Sequence, residues 1–156
     1  ARHDVRVETH HGSLAELAFV RADTIDAAVS SYGLAGVDDI DRVFRQVHRV
    51  LRPDRPFVFS LPHPAFALLN PDDPVTRIQR AWADPAPLAW SADSPGGAPD
   101  RPRTLGSLFT SLTRANFVVD GVAEPMVDKT AAGDAWCEAL RWVPPTLVIR
   151  ARKQGN

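Results

Sequence analysis

The clearest pattern in the chain is an apolar stripe. Ile40, Val43, Phe44, Val47, Val50 and Leu51 recur at the spacing of one helical face. Asp38 can cap the first turn, and Asp39 and Asp41 suit the positive end of the helix dipole. His48, Arg49 and Arg52 stand near the negative end, Pro53 stops the helix, and Asp54 supplies a turn residue. Burying these side chains contributes about 9–18 kcal/mol before entropy, at about 1.5–3 kcal/mol each. A face of that size needs a sheet to lie on. Short apolar runs flank it: residues 25–30, Ile-Asp-Ala-Ala-Val-Ser, and residues 56–61, Pro-Phe-Val-Phe-Ser-Leu. The unit reads strand, helix, strand. A crossover of this length predicts a parallel pair joined by a right-handed connection.

The remaining segments are less regular. Residues 5–9 alternate, with Val5 and Val7 on one side, and predict a short strand before the turn His11-Gly12-Ser13. Residues 62–103 hold many of the 14 prolines, Gly96-Gly97, and the aromatics Phe66, Trp82 and Trp90. A loop that long is functional or disordered, and interleaved aromatics argue against disorder. Thr104 caps a second helix in which Leu105, Leu108, Phe109 and Leu112 share a face, with Asn116 as a left-handed stop. Residues 117–119 predict a strand running on towards Glu124-Pro125. A short helix over residues 132–141 and a last strand over residues 146–151 follow. No internal repeat is visible.

Composition narrows the function classes. The 156 residues, 44% of them hydrophobic, suit one domain with its own core. A net charge of -1 with scattered basic residues points to neither nucleic acid nor a membrane surface as partner. No apolar run approaches the roughly 20 residues of a membrane helix. The single cysteine, Cys137, excludes an intrachain disulfide, reads as a small core residue, and suits a reducing cytoplasm. His10-His11 has no placed third ligand, so no metal site is expected. Neither Ser31 nor Ser60 lies in a Gly-x-Ser-x-Gly turn, which removes the usual serine hydrolase setting.

The ordered set of segments resembles a known family. Gly12-Ser13-Leu14, Leu17-Ala18-Phe19 and Ile25-Asp26-Ala27-Ala28-Val29-Ser30 are similar to the third-strand loop and fourth strand of class I S-adenosylmethionine-dependent methyltransferases, of the methyltransferase type 11 kind. Val37-Asp38-Asp39 opens the next helix as in that family. Val47-His48-Arg49-Val50-Leu51-Arg52-Pro53 before Phe57-Val58-Phe59-Ser60 resembles its entry into strand five. Residues 112–117 with Glu124-Pro125 resemble the later helix, strand six and the segment after it, and residues 146–153 resemble strand seven. The resemblance implies an incomplete Rossmann-like α/β fold. Its layers would be α/β/α, its sheet mostly parallel in the order 3-2-1-4-5-7-6, and its last strand antiparallel. In the family a glycine-rich loop and a ribose-binding acidic residue precede the segments matched here, and no Gly-x-Gly-x-Gly occurs in this chain. The expectation is a single domain over residues 1–156 that forms the C-terminal part of a methyltransferase domain and starts inside a longer gene product or has been trimmed.

The implied activity is methyl transfer from S-adenosylmethionine to a small-molecule acceptor. Its alternative is a degenerate, non-catalytic α/β module that binds a ligand or a protein. By resemblance, Ser13 and Leu14 lie by the adenine, where the family usually has an acidic residue in place of Ser13. Ser30, Ser31 and Tyr32 lie by the methionine end. His63 follows strand five directly, on the side of such sheets where ligands bind, and is the residue expected to contact the substrate or act as general base. Pro64, Phe66, Trp82 and Trp90 are the expected walls of an acceptor pocket, and the loop of residues 62–103 is expected to fold over the carboxyl ends of strands four and five.

Overall fold

The computed structural model describes residues 6–91 and 99–155, the side chain of Trp90 excepted. The apolar stripe forms helix α1, Ile40–Val50, with Ile40, Val43, Phe44, Val47 and Val50 buried. Its cap is Asp39 rather than the expected Asp38: the Asp39 carboxylate accepts from the backbone N–H of Arg42 at 2.9 Å. Asp38 turns away and pairs with Arg101 at 2.5 Å. Strands β1, Ala28–Ser31, and β2, Pro56–Pro62, flank the helix and pair in parallel, Ala28 with Phe57 through Ser31 with Ser60. The predicted strand–helix–strand unit is therefore present. β1 starts later than expected, because Ile25 makes only an isolated parallel bridge to Leu51.

Thr104 caps helix α2, Leu105–Arg114, by accepting from the Ser107 N–H at 3.1 Å. Asn116 takes the left-handed conformation expected of it, φ 62°, and turns the chain into strand β3, Phe117–Ala123. The predicted helix over residues 132–141 is not continuous. Gly133, at φ 52°, ends a short helix α3, Lys129–Ala132, and 3-10 turns at Gly133–Ala135 and Glu138–Arg141 follow it. Strand β4, Thr146–Lys153, is the last element. It inserts between β2 and β3, antiparallel to both, so the sheet order is β1-β2-β4-β3. That is the 4-5-7-6 half of the expected order, with the last strand alone reversed.

One core joins α1 and α2 to one face of the sheet. Phe44, Leu51, Leu108, Leu112, Leu147 and Ile149 are almost wholly buried there. The alternate side chains meet no such layer: Val29 is 77% exposed, Val118 is 41% exposed, and Val58 and Val148 are half-buried. Both long helices thus lie on one side, and the described residues supply two of the three expected layers. No strand forms at residues 6–9, where Val7 is 76% exposed, and Val5 lies outside the described residues. A strand there would need a sheet edge to pair with, and residues 6–9 form no ladder with β1, an edge strand of the sheet. No helix among the described residues is long and apolar enough to cross a membrane.

Ion pairs on exposed surfaces make the fold sensitive to acid. The Asp26 carboxyl is held below its usual range by hydrogen bonds from Arg52, and Asp120 by hydrogen bonds from Arg150 and Arg152. Asp73 is held down first by the Val75 N–H and then by Arg77. Folded-state values below the unfolded value of about 3.9 give a stabilisation that is complete above it and disappears as pH falls through the folded value. The urea midpoint should therefore drop between pH 5.5 and pH 3, and Asp120→Asn should flatten that drop. A midpoint independent of pH over this range would contradict the assignment.

Candidate active site

The carboxyl ends of β1, β2 and β3 and the first residue of β4 meet along one edge of the sheet. This is the edge at which open α/β sheets bind ligands. At the end of β1, Tyr32 takes φ 55° and turns the chain, its N–H donating to the Ser60 carbonyl at 3.2 Å. Its phenol hydrogen-bonds the Thr146 hydroxyl, so it reaches past β2 to the start of β4. Ser31 and Tyr32 are exposed, and Ser30 is half-buried beneath Gly33. A Cβ at Gly33 would stand 3.1 Å from the Ser30 hydroxyl oxygen, a close approach that the Ser30 side chain would have to yield to by a few tenths of an ångström.

Ser13 and Leu14 sit on a loop fastened to α1. The Arg42 guanidinium donates to the Ala15 carbonyl at 3.1 Å and pairs with Glu16 at 3.0 Å. Arg49 donates to the carbonyls of Leu17, at 2.7 Å, and Val20, at 3.0 Å. Because α1 begins at the carboxyl edge, the Arg42 anchor holds residues 13–16 towards that edge. The Ser13 hydroxyl itself accepts from the Ala15 N–H at 3.2 Å, and Leu14 is 45% exposed.

His63 lies where expected, one residue past β2, but not free. Its backbone N–H donates to the Pro145 carbonyl at 2.8 Å, and its carbonyl accepts from Ala67. Nδ1 accepts from the Ala65 N–H at 3.1 Å, and Nε2 lies 2.9 Å from a Glu124 carboxylate oxygen. With both ring nitrogens engaged and the residue 7% exposed, no lone pair remains to take a substrate proton. Glu124 was not foreseen as a site residue. It was visible only as part of a motif after β3, 61 residues from the histidine it contacts.

The aromatic loop returns over the β1–α1 connection. The Arg101 N–H donates to the Ala35 carbonyl at 2.8 Å, and Arg103 hydrogen-bonds the Val37 carbonyl. Burial pushes the Arg103 guanidinium down from its usual range. Among the described side chains, Phe66 stands apart from the other expected walls of an acceptor pocket. Phe66 is buried in a small separate cluster with Leu69, Ala139 and Leu140. Pro64 is buried, and Trp82, 57% exposed, stands beside it along a crevice of ≈ 10 Å³. Ligand pockets span roughly 300–1,000 Å³. The side chain of Trp90, and Gly96-Gly97, lie outside the described residues. A groove of ≈ 310 Å³ opens instead where α1 and α2 begin, between Asp38, Asp41, Arg103 and Ser107.

Comparison with known proteins gives this geometry a context. A family model described as a methyltransferase domain matches residues 1–59. A crystal structure of an S-adenosylmethionine-dependent methyltransferase from Mesorhizobium loti superposes with a TM-score of 0.77 and 26% identity, over 97% of this chain and 72% of that one. The fold is that of a class I S-adenosylmethionine-dependent methyltransferase. A putative S-adenosylmethionine-dependent methyltransferase from Listeria monocytogenes shares this methyltransferase fold at a TM-score of 0.73 and 19% identity, over 92% of this chain and 68% of that one. So does a Burkholderia thailandensis 1,6-didemethyltoxoflavin-N1-methyltransferase, solved with S-adenosylhomocysteine bound. Its TM-score is 0.51 and its identity 18%, over 92% of this chain and 49% of that one. No curated protein matches the chain in sequence.

Proposed function

We propose that this protein transfers a methyl group from S-adenosylmethionine to a small-molecule acceptor. The observation that carries the reading is the order β1-β2-β4-β3 with β4 alone reversed, which brings exposed polar residues to the ligand edge of a methyltransferase fold. The end of β1 fits the methionine end of the cofactor: Ser31 and Tyr32 are exposed there, and Gly33 adds no side chain beside the Ser30 hydroxyl. Ser13 and Leu14, fastened towards the same edge, would lie by the adenine. When bound, the cofactor supplies a methyl group already activated on a sulfonium. The task left to the chain is to align an acceptor with that methyl and keep water out. His63 acts here as a clamp joining the end of β2 to the segments beside β3 and β4. The single cysteine accords with a reducing compartment, and we place the protein in the cytoplasm.

Backbone-amide NMR tests this reading directly. Adding S-adenosylhomocysteine at millimolar concentration should shift the amides of Ser31, Tyr32 and Gly33 more than those of β3. Shifts spread evenly over the chain, or absent at these residues, would sink it.

A further inference from the structure

His63 and Glu124 divide burial unequally. The imidazole is 9% exposed and the carboxylate 48%, yet they meet at 2.9 Å. The Ala65 N–H, 3.1 Å from Nδ1, requires a lone pair on that nitrogen, so the ring proton sits on Nε2. Nε2–H then donates to Glu124, and a neutral imidazole orients the carboxylate without cancelling its charge. Among the described residues no lysine or arginine forms an ion pair with Glu124; the arginines of β4 are turned to Asp120 instead. Ser31, Tyr32 and Thr146, which share this edge, are neutral. Glu124 is therefore an oriented, half-exposed negative charge where the ends of β2, β3 and β4 meet, with acceptor capacity left over, the complement of a cation bearing N–H groups.

Resting on the methyl-transfer reading, we propose that Glu124, oriented by His63, is the group that meets the acceptor, and that the acceptor is a positively charged amine. An ammonium has no lone pair with which to attack. Glu124 holds it through its N–H groups and takes one proton, which leaves the nitrogen pair free and the carboxyl neutral. The proton then passes to water from the exposed side of the carboxyl. His63 is a positioning residue in this scheme, because it acts only through Glu124.

Phenethylamine and 2-phenylethanol, which share a carbon skeleton and differ in charge, are the probes. NMR titration of the 156-residue chain should show phenethylamine binding at least about tenfold more tightly, with shifts at Ala123, Glu124 and Thr146. Glu124→Gln should abolish that preference. His63→Ala should weaken it, and His63→Gln, whose amide can still donate to Glu124, should restore it; a merely structural histidine would show no such rescue. Long-range nitrogen–proton spectra should find the ring proton on Nε2. Equal affinity for the two probes, no binding of either, or a preference that survives Glu124→Gln overturns the proposal. S-adenosylhomocysteine shifts at Ser31, Tyr32 and Gly33 in the same samples, without an amine preference, would sink this inference and leave the methyl-transfer reading standing.

Discussion

Replacing Phe44 with alanine should destabilise the chain by about 3–5 kcal/mol, the range for emptying a large aromatic site in a core. Phe44 is fully buried on α1, and its ring meets Phe57 edge-on at 5.8 Å and Phe59 at 5.4 Å. Those phenylalanines belong to β2, so the one side chain joins the helix to the middle of the sheet. Neighbours fixed in strands cannot collapse into the space, which puts the cost high in its range. A domain of ordinary stability has about 5–15 kcal/mol in all, so the variant should approach unfolding at body temperature. Phe44→Leu, which keeps most of the volume, should cost much less. Urea denaturation of both variants measures the difference, and a loss below about 1 kcal/mol for the alanine would contradict the packing described.

The second large effect concerns the cofactor. Calorimetry of the 156-residue chain with S-adenosylmethionine should give a dissociation constant of millimolar or weaker. The residues proposed to hold it stand on one bank of the site, at the end of β1 and on the loop fastened by Arg42 and Arg49. The chain contains no Gly-x-Gly-x-Gly loop to cradle the molecule from the opposite bank. A complete micromolar site corresponds to about 8 kcal/mol, and half of that is the millimolar range. Micromolar binding by this chain would show that the described edge holds the cofactor without such a loop.

Local signals in the sequence carried much of the fold. The stripe from Ile40 to Leu51 identified α1 because helical burial repeats every three or four residues, and the runs beside it identified β1 and β2. Thr104 and Asn116 marked the ends of α2 because capping chemistry is local. Where the outcome depended on distant partners, the sequence was silent or misleading. The alternation at residues 5–9 satisfied a strand pattern, but pairing needs a neighbour that no local pattern can provide. Gly133 could break the helix expected over residues 132–141, yet nothing beside it required φ 52°. The order of methyltransferase segments came from resemblance, not from periodicity.

The candidate site was legible in position and illegible in detail. The placement of His63 past β2 followed from counting along the chain. Its chemistry did not, because a proton's location on imidazole depends on what the other nitrogen accepts, here the Ala65 N–H. Phe66 looked like a pocket wall because aromatic residues in a long loop must be buried somewhere. It is buried, but against Leu69, Ala139 and Leu140, and sequence cannot tell which apolar surface an aromatic side chain will choose.

The position of β4 bears on how the protein is made. β3 hydrogen-bonds only to β4 within the described sheet, and β2 reaches β3 only through it. While a ribosome is still extending the chain, β1, α1 and β2 can assemble, because their contacts are close in sequence. β3 must wait with its backbone groups unpaired until the segment from Thr146 to Lys153 has emerged. Phe57, Phe59 and Leu61 wait too, covered by α1 but without the side support of Leu147 and Ile149. Contacts that close late between distant segments fold slowly and leave sticky surface exposed in the interval. Stalled synthesis just short of Thr146 should therefore yield a nascent chain that depends on chaperones, whereas extension past Lys153 supplies the strand that closes the described sheet.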